Sequence, residues 1–317
     1  MVNFGNYVVV PLAAGVLVAA STVHGVPQAP SSSERPLPSR AAEVVSIVVT
    51  VQDNKGSPVA DLGPDAFVLR EDGRPQIIQA FARTGDPGDD PRLAVDLALL
   101  LDVSESVADR IKRTRLAAAT FLEAVPRVGE LFVFLFHEEI RGFRYRDVGR
   151  EKALELIAAM PTGGNTALYD AIREALSSLR RSAGRQVLVL LSDGEDSTSR
   201  LSYDELVRVV KASRAIIYPV ALPGTSLRGS NRDMAARRVL QAIADMTGGE
   251  VLNCGDVESL PRVYDRILTT LSSQYVLGFV PDNPRRGGTS PRLKVEVKRP
   301  GCRARYRERY YVPSEVQ

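Results

Sequence analysis

The stretch LALLLDVSES, Leu97–Ser106, joins an apolar run to a group of side chains that carry oxygen atoms. The run 97–101 contains no polar residue, which is the pattern of a strand buried on both faces of a sheet. Asp102 ends the run, and Ser104 and Ser106 follow at alternate positions. Alternate residues of extended chain point to the same side, so we expect the three side chains to converge on one point.

Four further apolar segments follow LAVDLALLLD along the middle of the chain: ELFVFLFH, QVLVLLSD, AIIYPVAL and GEVLNC. Amphipathic helices are predicted between them, and one such helix places four leucine or isoleucine side chains on one face: Leu168, Ile172, Leu176 and Leu179. This alternation predicts an α/β fold, in which helices cover both faces of a mostly parallel sheet. The short polar segment RGFRYRDV is predicted to form an edge strand.

Both flanks of this region have a β pattern. In the N-terminal flank, residues 43–90, two short strands surround the turn Asp72-Gly73, a strong hairpin signal. In the C-terminal flank, residues 274–317, the last strand has an arginine face that we expect to be solvated, made of Arg303, Arg305, Arg307 and Arg309. Neither flank alone makes a good core, so we expect the two to form one small β-sandwich with the α/β domain, residues 91–273, inserted between them.

The N-terminus does not have the pattern of a folded element. Residues 1–25 are predicted to be a secretory signal peptide, with an uncleaved membrane anchor as the alternative, and no later segment is apolar enough to span a membrane. Residues 26–42 are rich in Pro and Ser and are predicted to be a disordered linker. These features indicate a secreted or periplasmic protein.

The composition is that of an ordinary globular protein, with 44% hydrophobic and 25% charged residues in 317. The net charge of +3 is too small to argue for a nucleic-acid partner. The chain has two cysteines, Cys254 and Cys302. An oxidising compartment would allow them to pair, and two separate buried thiols are the alternative.

Two more polar clusters are predicted at the same edge of the sheet as Asp102, Ser104 and Ser106, where open parallel sheets bind ligands. Thr166 follows the Gly-Gly turn of PTGGNTALYDA, and Asp193 ends the strand in LLSDGEDS. Together these residues offer two carboxylates and three hydroxyls. Such hard oxygen ligands suit Mg²⁺, and Mn²⁺ or Ca²⁺ less well. The alternative is a cluster that only caps helices and stabilises turns.

Taken together, the apolar strand, D-x-S-x-S, G-G-N-T and S-D-G-E-D resemble the metal-ion-dependent adhesion site of von Willebrand factor type A domains. The flanks resemble those of the secreted bacterial members of this family. The resemblance implies a Rossmann-like fold with a doubly wound, mostly parallel six-stranded sheet, in which five strands are parallel and one edge strand is antiparallel. It implies that a divalent ion is held, directly or through water, by Asp102, Ser104, Ser106, Thr166 and Asp193. It also implies that a Glu or Asp of a protein partner completes the ligand shell, and that ligand binding is coupled to a shift of the last helix of the domain.

We therefore expect a metal-dependent protein-binding module and not an enzyme. One alternative is a metal-assisted hydrolase, in which His137 would act as base for Ser104 or Ser106. This alternative has little support, because the G-x-S-x-G signature is absent. The other alternative is a structural subunit with a vestigial metal site.

Overall fold

A computed structural model describes residues 44–84, 93–125, 128–159, 161–182, 184–222, 229–282 and 287–312. The predicted signal peptide and linker lie outside these residues. In chain order the elements are β1 (Val45–Asp53), β2 (Phe67–Glu71), β3 (Arg74–Gln76), β4 (Ala80–Arg83), β5 (Val95–Asp102), α1 (Ile111–Ala124), β6 (Val128–Phe136), β7 (Ile140–Arg144), α2 (Tyr145–Ala159), α3 (Leu168–Leu179), β8 (Arg185–Ser192), α4 (Tyr203–Ala212), β9 (Ile216–Ala221), α5 (Asn231–Thr247), β10 (Leu252–Asn253), α6 (Leu260–Ser272), β11 (Tyr275–Phe279), β12 (Leu293–Val297) and β13 (Cys302–Tyr306).

The central sheet has six strands in the order β10-β9-β8-β5-β6-β7. Strand β5 pairs in parallel with both β6 and β8, and the outermost strand β7 pairs antiparallel with β6. The predicted fold class is therefore confirmed, including the edge strand in RGFRYRDV. Because the parallel strands end at one edge, the loops that follow β5, β6 and β8 lie side by side there.

Helices cover both faces of this sheet. Leu97, Leu99 and Leu101 pack on the face covered by α1 and α6, whereas Ala98 and Leu100 pack on the face covered by α3, α4 and α5. All five residues are almost completely excluded from solvent. Their two-sided burial explains why the run shows no alternation of polar and apolar residues.

The flanking strands form two further sheets, in the orders β13-β1-β11-β4 and β12-β2-β3. Each contains strands from both ends of the described chain, because β1 pairs with β11 and β13, and β2 pairs with β12. The sheets share one apolar core, which includes Val49, Phe67, Tyr275 and Val295. The two flanks therefore fold together, as expected. The predicted limits of the inserted domain, 91–273, stay a prediction.

The turn between β2 and β3 is the predicted hairpin. Asp72 and Gly73 both have positive φ, at 47° and 81°. This is the combination that a tight two-residue hairpin turn requires, and Asp and Gly tolerate it better than other residues.

The arginine face of β13 differs from the prediction. Arg307 directly follows β13, and its guanidinium donates to the carbonyl oxygen of Lys211 in the last turn of α4, at 3.2 Å. It also donates to the carbonyl oxygens of Ser213 and Ala215, which follow α4, at 2.5 and 3.1 Å. Burial lowers the pKa of Arg307 to about 10. Arg305 donates to the carbonyl of Gly249 at 2.9 Å. The expectation of a solvated face is wrong for these two residues, which instead tie β13 to the central domain.

The cysteines are not paired with each other: Cys254 is a buried free thiol and Cys302 is a partly buried one. Cys254 Sγ contacts the Asp256 carbonyl at 2.7 Å. The alternative of two separate thiols is thus the one observed. No helix in the described ranges is long and apolar enough to cross a membrane.

Candidate metal centre

The turn that leaves β5 brings its three polar side chains together. Asp102, the last residue of β5, is completely buried. Ser104 donates to Asp102 Oδ1 from both its backbone nitrogen, at 3.0 Å, and its hydroxyl, at 2.6 Å. The hydroxyls of Ser104 and Ser106 are 3.2 Å apart. The geometry follows from the alternation in D-x-S-x-S, which directs all three side chains to one side.

The end of β8 supplies a second carboxylate. Asp193 is 7% exposed, and its Oδ1 accepts a hydrogen bond from the backbone of Glu195 at 3.1 Å. Its Oδ2 is buried and has no hydrogen-bond partner at normal distance in the described part of the chain. The neighbouring Ser106 hydroxyl acts to lower the pKa of Asp193, but burial outweighs it and the net shift is upward.

Ser192 belongs to the same cluster and is absent from the sequence prediction. Its hydroxyl donates to Asp102 Oδ2 at 2.7 Å and accepts from the backbone of Gly194 at 3.0 Å. Asp102 therefore accepts hydrogen bonds at both of its oxygens. The signal in the sequence was weak, because the serine that opens S-D-G-E-D is also typical of an ordinary strand end.

Thr166 is brought to the cluster by a loop with two left-handed glycines. Gly163 and Gly164 have φ of 127° and 75°, a region that other residues rarely adopt. The backbone of Gly163 donates to the carbonyl of Val103 at 3.1 Å, and the backbone of Ala167 donates to the carbonyl of His137 at 2.8 Å. The loop is thus held between the turns that follow β5 and β6, and Thr166 is 5% exposed.

The loop after β8 holds Thr166 from the other side. The Ser197 hydroxyl accepts from the backbone nitrogen of Thr166 at 2.9 Å, and the Thr166 carbonyl accepts from the backbones of Ser197 and Thr198 at 2.9 and 3.1 Å. Segments that are far apart in sequence are therefore fixed against each other. The five residues predicted from sequence all lie at this one edge of the central sheet.

The electrostatics of the cluster favour a cation. Burial is the largest cause that raises the pKa of Asp102, to about 6, and Asp193 adds a like charge nearby. Burial also raises the pKa of Asp193. A buried carboxylate is costly in its charged form unless it is paired, so a positive charge between these two groups would offset that cost. The unpartnered Oδ2 of Asp193 fits a group that such an ion would contact.

The donor set restricts the kind of ion. The described residues contain no group of three or more His, Cys, Asp or Glu side chains that could hold a metal. The cluster instead combines two carboxylates with hydroxyls, which fits hard cations such as Mg²⁺.

His137 does not take the position that the hydrolase alternative requires. Its Nδ1 accepts a hydrogen bond from the backbone of Glu139 at 3.1 Å. The Ser104 hydroxyl donates to Asp102, and no hydrogen bond joins His137 to either serine within the described ranges. His137 therefore stabilises a turn, and its geometry gives no support to a serine nucleophile.

Comparison with known proteins identifies the domain that carries this cluster. The family model of the von Willebrand factor type A domain matches residues 96–266, more than half of the chain. The chain belongs to this family. VWA domains bind protein partners and often bind a divalent metal. The matched range contains all five predicted site residues. It also contains the six strands of the central sheet, except for Val95, the first residue of β5.

Other similarities are more distant. The chain is 30% identical over 189 residues to mouse calcium-activated chloride channel regulator 3A-1. The aligned region is 56% of this chain but only 19% of the mouse protein. The chain thus spans about a fifth of that relative. The solved structures include the PilB minor pilin from Streptococcus sanguinis, with a TM-score of 0.48, 14% identity, and coverage of 59% of this chain and 63% of that one.

A von Willebrand factor type A protein from Catenulispora acidiphila has a TM-score of 0.43 at 14% identity, covering 86% of this chain and 74% of that one. The manganese-loaded TRAP protein of Plasmodium vivax has a TM-score of 0.41 at 14% identity, covering 70% and 96%.

Proposed function

We propose that this VWA-domain protein is a metal-dependent protein-binding module, not an enzyme. Asp102, Ser104, Ser106, Thr166 and Asp193 hold a divalent cation, Mg²⁺ in the first instance, and a Glu or Asp carboxylate of a partner protein completes its ligand shell. The observation that carries the proposal is the buried Asp193 Oδ2, which has no hydrogen-bond partner in the described part of the chain and belongs to a cluster of hard oxygen donors.

The five proposed ligands are of two kinds, charged carboxylates and neutral hydroxyls. Asp102 and Asp193 supply two negative charges, and the three hydroxyls of Ser104, Ser106 and Thr166 add oxygen donors without further charge. When bound, the ion supplies a positive charge that an outside carboxylate can contact. The Ser192 hydroxyl donates to Asp102 Oδ2 and so helps to hold this carboxylate in place.

The cellular setting is part of the same proposal. The predicted signal peptide, residues 1–25, would export the chain, and the linker, residues 26–42, would separate the folded part from the membrane or the export site. The resemblance of the flanks to those of the secreted bacterial members of the family supports a role outside the cell or in the periplasm.

Calorimetry tests the metal site directly. After treatment with a chelator and its removal, titration of the full chain with Mg²⁺ should give saturable heat with one equivalent bound, and the midpoint of thermal unfolding should rise. Asp193→Asn should abolish both effects, whereas Glu174→Gln, which changes the same charge on the exposed face of α3, should retain them. A wild-type chain with neither heat nor stabilisation would favour the vestigial-site alternative and overturn the proposal.

The protein partner requires a separate experiment. A pull-down from the native host, with and without chelator, should recover a protein that is lost when divalent ions are removed. The Asp193→Asn chain serves as the matched control, because it should recover nothing under either condition. Recovery that is equal with and without chelator would contradict metal-dependent binding.

A further inference from the structure

Two exposed carboxylates lie over the glycine loop beside the candidate metal centre. Glu105 Oε2 lies 3.3 Å from the position that a β-carbon on Gly163 would take, and the Glu138 carboxyl carbon lies 3.3 Å from the equivalent position on Gly164. The backbone of Glu105 also donates to the carbonyl of Gly164 at 3.3 Å. The two acidic groups thus approach the same short loop, which leads to Thr166.

These two carboxylates differ from their acidic neighbours. Glu139 forms an ion pair with Arg141 at 3.2 Å, and Glu195 forms one with Arg232 at 3.3 Å. In contrast, the described residues offer neither Glu105 nor Glu138 an ion-pair or side-chain hydrogen-bond partner. Within the described residues, two exposed negative charges therefore have no opposite charge paired with them on this side of the centre.

The unpartnered oxygen of Asp193 is an independent observation that supports a ligand at the neighbouring cluster. Ser106, the residue after Glu105, contacts Asp193, and the buried Oδ2 of Asp193 has no hydrogen-bond partner in the described ranges. Through the glycine loop that leads to Thr166, the two glutamates form a rim at the proposed cation site. A partner carboxylate that reaches this site from the side of the loop would approach two like charges, and like charges at an interface oppose association.

Charge complementarity therefore restricts the partner. We propose that the partner segment carries its Glu or Asp next to a Lys or Arg, which forms ion pairs with Glu105 and Glu138. This proposal rests on the proposed function, since it assumes that a partner carboxylate reaches the metal. A segment with a carboxylate but no adjacent cation is repelled by the rim, so the rim selects among acidic ligands.

The other side of the centre has a different character. Tyr203 and Met234 are 40% and 39% exposed, and the Tyr203 ring lies 6.3 Å from that of Tyr169. The backbone of Tyr169 donates to Ser199 and to Asp196, both in the loop after β8. Tyr is enriched in interfaces, so the exposed Tyr203 ring suits an apolar residue of the same partner.

Two synthetic peptides of equal length test the charge requirement. One has the sequence Gly-Lys-Gly-Glu-Gly-Lys-Gly and the other Gly-Ser-Gly-Glu-Gly-Ser-Gly, both with blocked ends. Each is titrated, by NMR chemical-shift perturbation, into the ¹⁵N-labelled full chain saturated with Mg²⁺. The lysine peptide should bind about fivefold more tightly at low salt, as expected for about 1 kcal/mol of exposed ion pairing. The difference should shrink in 0.5 M salt because exposed pairs are screened.

Variants assign the difference to the rim. In the double variant Glu105→Gln/Glu138→Gln the two peptides should bind equally, whereas Glu174→Gln should keep the fivefold difference. The proposal is wrong if the wild-type chain binds both peptides equally or does not bind the lysine peptide. It is also wrong if the double variant keeps the difference. A third contradicting result would be a wild-type chain that binds a second equivalent of Mg²⁺ and a double variant that does not, because the glutamates would then bind a metal ion and not the lysines of a partner. Calorimetry with Mg²⁺ alone distinguishes this failure from that of the proposed function, because it reports the metal site without any peptide.

Discussion

Asp102 combines complete burial with hydrogen bonds at both carboxylate oxygens. Ser104 donates to Oδ1 and Ser192 donates to Oδ2, which fixes the orientation of the carboxylate. These bonds lower the pKa of Asp102, but burial is the larger effect and raises it to about 6. The residue is thus held in one position, yet its charged form is costly near neutral pH unless a cation is present.

The first prediction concerns pH. A metal ion requires the charged form of Asp102, so protons and Mg²⁺ compete and the affinity for Mg²⁺ should fall by about tenfold per pH unit below pH 6. The metal-free chain should behave in the opposite way. Since the folded pKa is raised, Asp102 stabilises the fold below its unfolded pKa of about 3.9, and this contribution is lost as the pH rises to about 6. Calorimetry and thermal unfolding at pH 5, 6 and 7 test both trends; an affinity for Mg²⁺ that stays constant across this range contradicts the first.

The second prediction concerns Ser192. The Ser192→Ala variant leaves Asp102 Oδ2 without its hydrogen bond, so the affinity for Mg²⁺ should fall by about tenfold, as is usual when the support of a metal ligand is removed. The free energy of unfolding should fall by only about 1 kcal/mol. Ser177→Ala, on the exposed face of α3, is the control and should change neither quantity. Equal calorimetric affinity of Ser192→Ala and the wild-type chain would show that Ser192 does not orient Asp102.

Among the structural elements, the loops at the strand ends determine the site, and backbone hydrogen bonds hold these loops against one another. The glycine loop before α3 is fixed to the turn after β5 and to the turn after β6. Gly163 and Gly164 permit its positive φ values, and the glutamate side chains pass close to both glycines. The position of Thr166 thus follows from the path of the loop rather than from its own neighbours in sequence.

The third prediction compares two glycines with positive φ. Gly164→Ala should lower the free energy of unfolding by about 1–2 kcal/mol and also weaken Mg²⁺ binding, because the backbone before Thr166 must shift. Gly73→Ala introduces a similar strain in the hairpin between β2 and β3, where a β-carbon meets no neighbouring atom within 4 Å. It should lower stability to a similar degree and leave Mg²⁺ binding unchanged. Chemical denaturation gives the free energy of unfolding, and calorimetry gives the affinity for Mg²⁺. A Gly164→Ala chain that binds Mg²⁺ as tightly as the wild-type chain would show that the glycine loop does not position the metal site.

At the scale of the whole molecule, the flanking sheets are fastened to the end of the central domain. Arg307 donates to the carbonyl oxygen of Ser213, just after α4. The fully buried side chain of Gln274 donates to the hydroxyl of Thr50 in β1 at 3.1 Å and to the hydroxyl of Tyr218 in β9 at 3.0 Å. Gln274 stands between α6 and β11, so the last helix of the domain leads directly into this junction. These polar contacts join the two parts of the chain.

The fourth prediction follows from this junction. Arg307→Ala removes a charged donor from three carbonyl oxygens, so the free energy of unfolding should fall by about 3 kcal/mol. Arg303→Ala, at an exposed position of β13, the strand that precedes Arg307, should cost less than about 0.5 kcal/mol. Urea denaturation followed by fluorescence and circular dichroism provides the comparison. Equal stabilities of the two variants would show that β13 does not hold the parts together.

Two features of the sequence were sufficient to predict most of the architecture. The unbroken apolar run in β5 predicted a strand buried on both faces, and the Asp72-Gly73 pair predicted the hairpin, because each pattern reports a local conformation or a burial state. The expectation of a solvated arginine face was wrong for Arg305 and Arg307, whereas Arg303 and Arg309 are exposed as predicted. Their period of two correctly placed them on one face, but period alone does not tell whether a face meets water or the carbonyl groups of a distant helix end.

The sequence by itself determined the order of strands and helices, the position of Asp102 at the end of a buried strand, and the presence of hard oxygen donors among the predicted site residues. Each of these depends on residues that are close together along the chain or on the chemistry of single side chains. Only the tertiary structure decided that Ser192 supports Asp102, that Glu105 and Glu138 lie over one loop, and that Arg307 fastens the flanking sheet to the domain. Those contacts join segments far apart in sequence, and their geometry is set by strand register and loop path, which no local pattern records.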